Sequence, residues 1–173
     1  MNPARGFTMM EMILTLVILS VLSTIALPQI VGAIQNFRLN SAAQKMLSDI
    51  RYARELALNR HGTYGIQVNA ASNSYQIFSL VGATKTVLTD PMKRTSMIVD
   101  FDLLPQYSGV SIGAVDFCEA GGCAAVDLRF NSFGVPSDSS GAVMASAATV
   151  QLSAGGITKT VRINQQTAFS EVV

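Results

Sequence analysis

Three sets of residues have types and spacings that bear on chemistry. His61 is the single histidine of the chain. A catalytic triad, a histidine-rich metal site or a proton relay would each need that ring among partners, and the sequence displays no clustered nucleophile and base beside it. Cys118 and Cys123 flank Glu119-Ala120-Gly121-Gly122; they lie too close for the paired CxxC knuckles of a zinc site and have no second ligand cluster. A local disulfide is the default for a domain outside the cytoplasm. It would close a hairpin loop and fix a tip, stabilising by at most about a few kcal/mol in the loop-entropy account. A redox pair is the alternative, but neither cysteine lies by a helix N-terminus or an evident cation. The third is Glu11, the one charge between Met9 and Leu27, where 14 of 19 residues are apolar. A carboxylate stranded at mid-bilayer costs about 2.5–3.5 kcal/mol on insertion scales, so Glu11 requires a cationic partner or a place near the interface.

Composition narrows the functional classes. The chain has 173 residues, enough for one domain of ordinary size, with 49% hydrophobic residues, 13% charged residues and a formal net charge of +1. That balance supplies no general attraction for nucleic acid. The apolar excess is concentrated at the amino end. From Phe7 to Leu27 only Thr8, Glu11, Thr15, Ser20, Ser23 and Thr24 interrupt the apolar run, and as a helix it spans about 31 Å, close to one hydrocarbon core. A secretory signal would be cut after such a run. The pattern after Pro28 stays helical rather than becoming a loop, so a different cleavage fits better; before the run stands the polar leader Met1-Asn2-Pro3-Ala4-Arg5-Gly6. Gly6 lets a protease bring its catalytic groups close to the backbone, and Arg5 favours retention on the cytoplasmic side.

Past Pro28, Ile30, Ile34, Phe37, Ala43, Leu47, Ile50, Ala53 and Ala57 recur at helical steps with polar residues between them. This predicts an amphipathic helix that continues the membrane segment to about Arg60, roughly 80 Å in all, with Gly62 as its left-handed stop. From Thr63 the pattern changes to short β-prone runs: Thr63–Asn69, Ser74–Leu80, Lys85–Leu88, Ser96–Phe101, Val110–Val115, Ala125–Phe130, Thr149–Ser153 and Ile157–Ile163. Turn signals separate them, among them Ala71-Ser72-Asn73 and Ala154-Gly155-Gly156. The expected head is one antiparallel, hairpin-rich sheet on the Ala43 to Ala57 face of the helix. Pro136 to Ala148, rich in Ser, Gly and Ala, reads as a long mobile loop. Tyr64, Tyr75, Phe78, Phe101, Phe117 and Phe130 are expected to pack on the sheet, and His61 to meet the last carbonyls of the helix.

A short basic leader ending in Gly6, followed by Phe7-Thr8-Met9-Met10-Glu11 and the apolar run, resembles the class III leader of type IV pilins and pseudopilins. The resemblance implies that a prepilin peptidase cuts between Gly6 and Phe7 on the cytoplasmic face and N-methylates Phe7. Cleavage there leaves the anchor on the mature protein. Glu11 would then pair with the new amine of Phe7, its own or a neighbour's, and set axial register in a filament. Pro28 adds to the likeness, since many type IV pilins carry a helix-kinking proline there. Within pilin-like proteins the chain is similar to the GspH/FimT family. Phe37-Arg38-Leu39, Ser48 to Leu58, Val126 to Gly134, and the pair around Val150-Gln151-Leu152 and Val161-Arg162-Ile163 carry that similarity.

The likeness implies an α+β, pilin-like fold: a long N-terminal helix, membrane-spanning in its first half, packed on an antiparallel β-sheet head. It divides the chain into a cleaved leader at residues 1–6, a transmembrane and assembly helix at 7–28, an amphipathic stalk at 29–62 and a β-rich periplasmic head at 63–173. The implied role is that of a minor pilin or pseudopilin. Such a protein is a non-enzymatic structural subunit, without metal or cofactor, at or near the tip of a type II secretion pseudopilus or priming a type IV pilus. Implied partners are other pilin or pseudopilin subunits, the prepilin peptidase, the inner-membrane assembly platform and membrane lipid. The implied location is the bacterial inner membrane, crossed once, with the head in the periplasm.

The rival is a DNA-binding minor pilin in competence. Some family members in DNA uptake end in a basic Gly-Arg-x-Arg type motif, whereas here the last expected strand is followed by Asn164-Gln165-Gln166-Thr167-Ala168-Phe169-Ser170-Glu171. Beyond Gly62 there are 6 Lys+Arg against 8 Asp+Glu, a net of −2, and phosphate binding wants clustered cations. The basic excess lies on the stalk, where Arg38, Lys45, Arg51, Arg54 and Arg60 accompany Asp49 and Glu55. A solvated helix face with some contacts to neighbouring subunits is the expectation there, and DNA contact the sharper alternative.

Overall fold

The computed structural model describes residues 7–91, 94–117, 127–144, 146–165 and 169–173, with the backbone alone described at 26–28. The chain forms two compact units, the first ending at Ile34 and the second spanning Gln35–Val173. One helix, α1 (Met9–Arg60), is followed by β1 (Thr63–Asn69), β2 (Ser74–Val81), β3 (Thr84–Val87) and β4 (Ile98–Asp100), then by a single 3₁₀ turn at Pro105–Tyr107. Six strands complete the order: β5 (Ser111–Asp116), β6 (Asp127–Phe130), β7 (Pro136–Ser137), β8 (Ala148–Ala154), β9 (Ile157–Ile163) and β10 (Ser170–Val172).

From Leu39 to Ala57 the helical period sorts the side chains. Leu39, Ala42, Ala43, Met46, Leu47, Ile50, Ala53, Leu56 and Ala57 are buried, while Asn40, Gln44, Ser48 and Glu55 are exposed. Ile30, Ile34 and Phe37, expected in the same stripe, are exposed. The helix ends as expected at Arg60, but its left-handed residue is His61, with φ of 50°, rather than Gly62. The Gly62 N–H donates back to the Ala57 carbonyl at 3.3 Å, the six-to-one bond of a Schellman stop, and the residue that this bond forces left-handed is the one before it.

The strands form two antiparallel sheets where one was expected. The first has the order β3-β2-β1-β6-β7, with β4 also on β2; the second has the order β10-β9-β8-β5. Both bury one face in the core shared with α1: Ile66, Val68, Tyr75, Ile77, Leu128 and Phe130 from the first sheet, Ile112, Val150, Leu152, Val161 and Ile163 from the second. Asn73, in the turn between β1 and β2, ties them together. Its backbone is left-handed, with φ of 47°. Its Oδ1 accepts from the Ile112 N–H at 2.8 Å and its Nδ2 donates to the Val110 carbonyl at 2.8 Å. The β8–β9 hairpin turns on Gly155 and Gly156, with φ of 57° and 81°, values that the tight two-residue turn requires.

Pro136 to Ala148 is not a free loop. Asn131 Oδ1 accepts from the N–H groups of Phe133 and Val135, both at 3.0 Å, which turns the chain back so that β7 pairs with β6. Asp138 Oδ1 then accepts from Ser140 N–H at 2.8 Å and Ala142 N–H at 3.1 Å, and Met144 is buried. Small polar composition resembles mobility, but these side chains satisfy the backbone locally. The last strand is β10, outside β9, where the sequence reading had the sheet end at Ile163. The six aromatic residues expected to pack, Tyr64, Tyr75, Phe78, Phe101, Phe117 and Phe130, are all buried.

Asp49, read from sequence as part of a solvated face, is buried with 5% of its surface exposed. Its Oδ2 accepts from the Tyr75 hydroxyl at 2.8 Å and its Oδ1 from Lys45 Nζ at 2.7 Å. Burial first, then the Asp49 carboxylate, holds the Tyr75 phenol well above its ordinary value of 10.0. Tyr75→Phe leaves one carboxylate oxygen without its donor and is expected to cost about 1–3 kcal/mol in thermal unfolding. The raised phenol contributes stability that is complete below the unfolded value and lost as pH rises through the folded one. Native stability should therefore decline above about pH 10, and less steeply in Tyr75→Phe. His61→Gly relieves a left-handed side chain and should raise stability by up to about 1 kcal/mol in the same assay.

Candidate functional site

The amino end of α1 is built by local bonds. Thr8 precedes the helix as its N-cap: its Oγ1 accepts from the Glu11 N–H at 3.3 Å. Its carbonyl accepts from the N–H groups of Glu11 and Met12 at 3.1 and 3.2 Å. With Glu11 three residues beyond, the Thr-x-x-Glu spacing of a capping box sets the carboxylate in the first turn, where the helix dipole favours negative charge. Phe7 is exposed, and so is Glu11. Among the described residues the Glu11 carboxylate has no ion-pair partner.

Every residue from Phe7 to Ile25 is exposed in the isolated chain, and α1 is long and apolar enough to cross a membrane. Its hydroxyl groups are already satisfied. Thr15, Ser20, Ser23 and Thr24 donate to the carbonyls of Met12, Val17, Leu19 and Ser20 at 2.8–2.9 Å, so the polar interruptions add little cost in a dry environment. α1 continues through Pro28. Gly6, Cys118 and Cys123 lie outside the described residues, as does the Pro28 side chain. The structure thus brings Phe7 and Glu11 to one helix end and leaves the cleavage, kink and disulfide expectations where the sequence put them.

The stalk cations are differently employed from either reading of the sequence. Arg38 Nη1 donates to the Ser108 carbonyl at 3.1 Å, Lys45 to Asp49, and Arg54 Nε to the Gly134 carbonyl at 3.3 Å. Arg51 reaches Ser170 twice, Nη2 to the carbonyl at 2.8 Å and Nε to Oγ at 3.3 Å. Four of the five cations are spent internally, three of them on strand and loop backbone of the head. Among the described residues no group of three or more His, Cys, Asp or Glu is placed to hold a metal ion.

Residues 1–27 match the prokaryotic N-terminal methylation motif, and residues 42–167 match the family described as type II transport protein GspH. The chain belongs to the GspH family. As a GspH chain carrying that motif, it is a pilin-like structural subunit of a pseudopilus or type IV pilus. Solved structures agree on the fold. The minor pseudopilin EpsH from the type 2 secretion system of Vibrio cholerae superposes with a TM-score of 0.56 at 12% identity, covering 79% of this chain and 96% of that one. The type IV minor pilin FimU of Pseudomonas aeruginosa gives 0.53 at 16% identity, covering 78% and 87%. No curated protein sequence matches. Thr8 caps the helix start within the stretch that matches the methylation motif, so Thr8→Ala should release that start. Loss of an N-cap costs about 1 kcal/mol, and faster amide exchange at Met10 to Met12 in micelles is the expected readout.

Proposed function

We propose that this GspH chain is a minor pseudopilin or minor pilin, cut after Gly6, methylated on the Phe7 amine and anchored once in the inner membrane by residues 7–28. Residues 29–62 serve as stalk and 63–173 as periplasmic head. Its work is mechanical rather than catalytic. An assembly platform draws the helix out of lipid and it bundles with the helices of sibling subunits, since an apolar rod has no other dry surroundings.

The observation that carries this reading is the carboxylate of Glu11 in the first turn of α1, the one charge in the exposed and mainly apolar stretch from Met9 to Ile25. It stands four residues from the amine that the cut would create, in a segment that matches the methylation motif. An ammonium from a neighbouring chain offsets the cost of moving that carboxylate into a helical bundle and fixes one axial stagger over others. A DNA-uptake role finds less support, because three of the five stalk cations are bonded to the head, a fourth to Asp49, and the head sequence is net negative.

Intact mass of the membrane-extracted protein should show the loss of Met1–Gly6 and the gain of one methyl group, both dependent on the peptidase. A chain that keeps its leader whether or not the peptidase is present overturns the processing claim. Glu11→Gln should still be cut and inserted, yet be recovered from sheared filaments at least about tenfold less, the loss expected for one charged hydrogen bond.

A further inference from the structure

A cleft lies beside α1, bounded by Arg51, Arg54, Glu55 and Leu58 on the helix and by Phe169 and Ser170 at the start of β10, with a volume of about 170 Å³. Gly134 packs against two of these residues, Leu58 and Arg54. A Cβ there would sit 3.0 Å from Leu58 Cδ2 and 3.3 Å from Arg54 Nε. Phe133, next in the chain, is 80% exposed and Phe169 is 59% exposed. The cleft is therefore a small recess whose walls carry one aromatic ring, Phe169, one apolar side chain, Leu58, two guanidinium groups and the Glu55 carboxylate.

Both guanidinium groups are held in place. Arg51 gives Nε and Nη2 to Ser170 and lies 5.9 Å from the centre of the Phe169 ring. Arg54 gives Nε to the Gly134 carbonyl. An arginine has five N–H donors, so these tethers orient each group while leaving terminal N–H donors of both for a ligand. Among the described residues neither has a carboxylate at ion-pair distance, although Glu55 lines the same cleft. The lining charge is two cations against one anion.

We propose that this cleft receives a carboxylate flanked by apolar side chains, an acidic segment of a neighbouring pilin-like subunit. The identity of the partner rests on the filament reading; the chemistry of the cleft does not. Charge complementarity selects the carboxylate, and the two tethered forks present donors at fixed positions for its oxygens at little further entropic cost. Leu58 and Phe169 favour apolar neighbours over a naked ion. A nucleic acid strand is less well matched, since the recess has the volume of one large side chain, only two cations serve it, and Glu55 repels each further phosphate.

The test uses the full-length, ¹⁵N-labelled chain in micelles, following the Nε–H signals of Arg51 and Arg54 on titration with acetyl-Leu-Glu-Phe-amide. Saturable shifts of both signals are expected. The glutamine version of the tripeptide and Arg54→Gln should each bind at least about tenfold more weakly, and Glu55→Gln about threefold more tightly. Glu55 is exposed and has no partner among the described residues, so that variant reads the cleft without endangering the fold. Equal binding of the glutamine tripeptide, or no tightening in Glu55→Gln, overturns the proposal. Tighter binding of a short oligothymidylate overturns it in favour of nucleic acid. Recovery of the native chain from sheared filaments is scored separately. If it is present there while the tripeptide fails, the cleft assignment alone falls; if it is absent, the filament reading falls and the subunit partner with it.

Discussion

Both sheets close on one stripe of α1, Leu39 to Ala57, and most of the head's architecture follows from how that stripe is built. Four alanines, Ala42, Ala43, Ala53 and Ala57, are fully buried. Met46, Leu47, Ile50 and Leu56 fill the space between, each worth about 1.5–3 kcal/mol when removed from water. Packing on two sheets at once widens the buried arc beyond a simple apolar stripe, and Asp49 falls inside it. A buried carboxylate is tolerable only when bonded, so Tyr75 on β2 and Lys45 one turn back become part of the same constraint. The polar link is a consequence of the apolar one.

The same helix meets a different solvent before Gln35. Its described large apolar side chains there are exposed in the isolated chain, and its four hydroxyls donate to its own backbone. Such a surface is stable only in lipid or against other helices of its kind. Membrane retention and polymerisation are therefore two outcomes of one physical requirement, and a protein that alternates between them needs a polar element to choose among otherwise equivalent staggers. Apolar packing is poorly directional; a single charge pair is not. Glu11, in the first turn beside the Thr8 cap, is the charged group of this segment, and the role proposed for it is to supply that direction.

Much of this was legible in the sequence where the signal was local. The bounds of β1 and β9 agree with the alternation and turn residues that announced them, and the helix end at Arg60 was marked by Gly62 two residues on, although His61 takes the left-handed conformation. Phe7, Thr8 and Glu11 are neighbours in sequence, so their grouping needed no tertiary knowledge. What could not be read depends on long-range pairing. Alternating strands fit one sheet or two equally well, and the two-residue β7 and three-residue β10 are too short to show a period. Asp49 and the arginines looked solvated because their residue types usually are. Their partners, Tyr75, Ser108, Gly134 and Ser170, lie 26 to 119 residues away.

Those long reaches explain why an arginine-bearing stalk suits a head with so little strand at its margins. β7 and β10 are too short to hold their places by ladder bonds alone, since each adds few pairs to its sheet. Arg54 beside the turn before β7, and Arg51 at the first residue of β10, secure the approaches to both strands from the helix side, where a long side chain can lie along apolar surface and deliver its charge to backbone carbonyls. A lysine would carry the charge but not the planar fork that grips both the carbonyl and the hydroxyl of Ser170. The cations that sequence alone would assign to an outside polyanion are thus better understood as what lets a rigid helix hold two short strands. The same rigidity orients the donors left over toward whatever lies beside the helix.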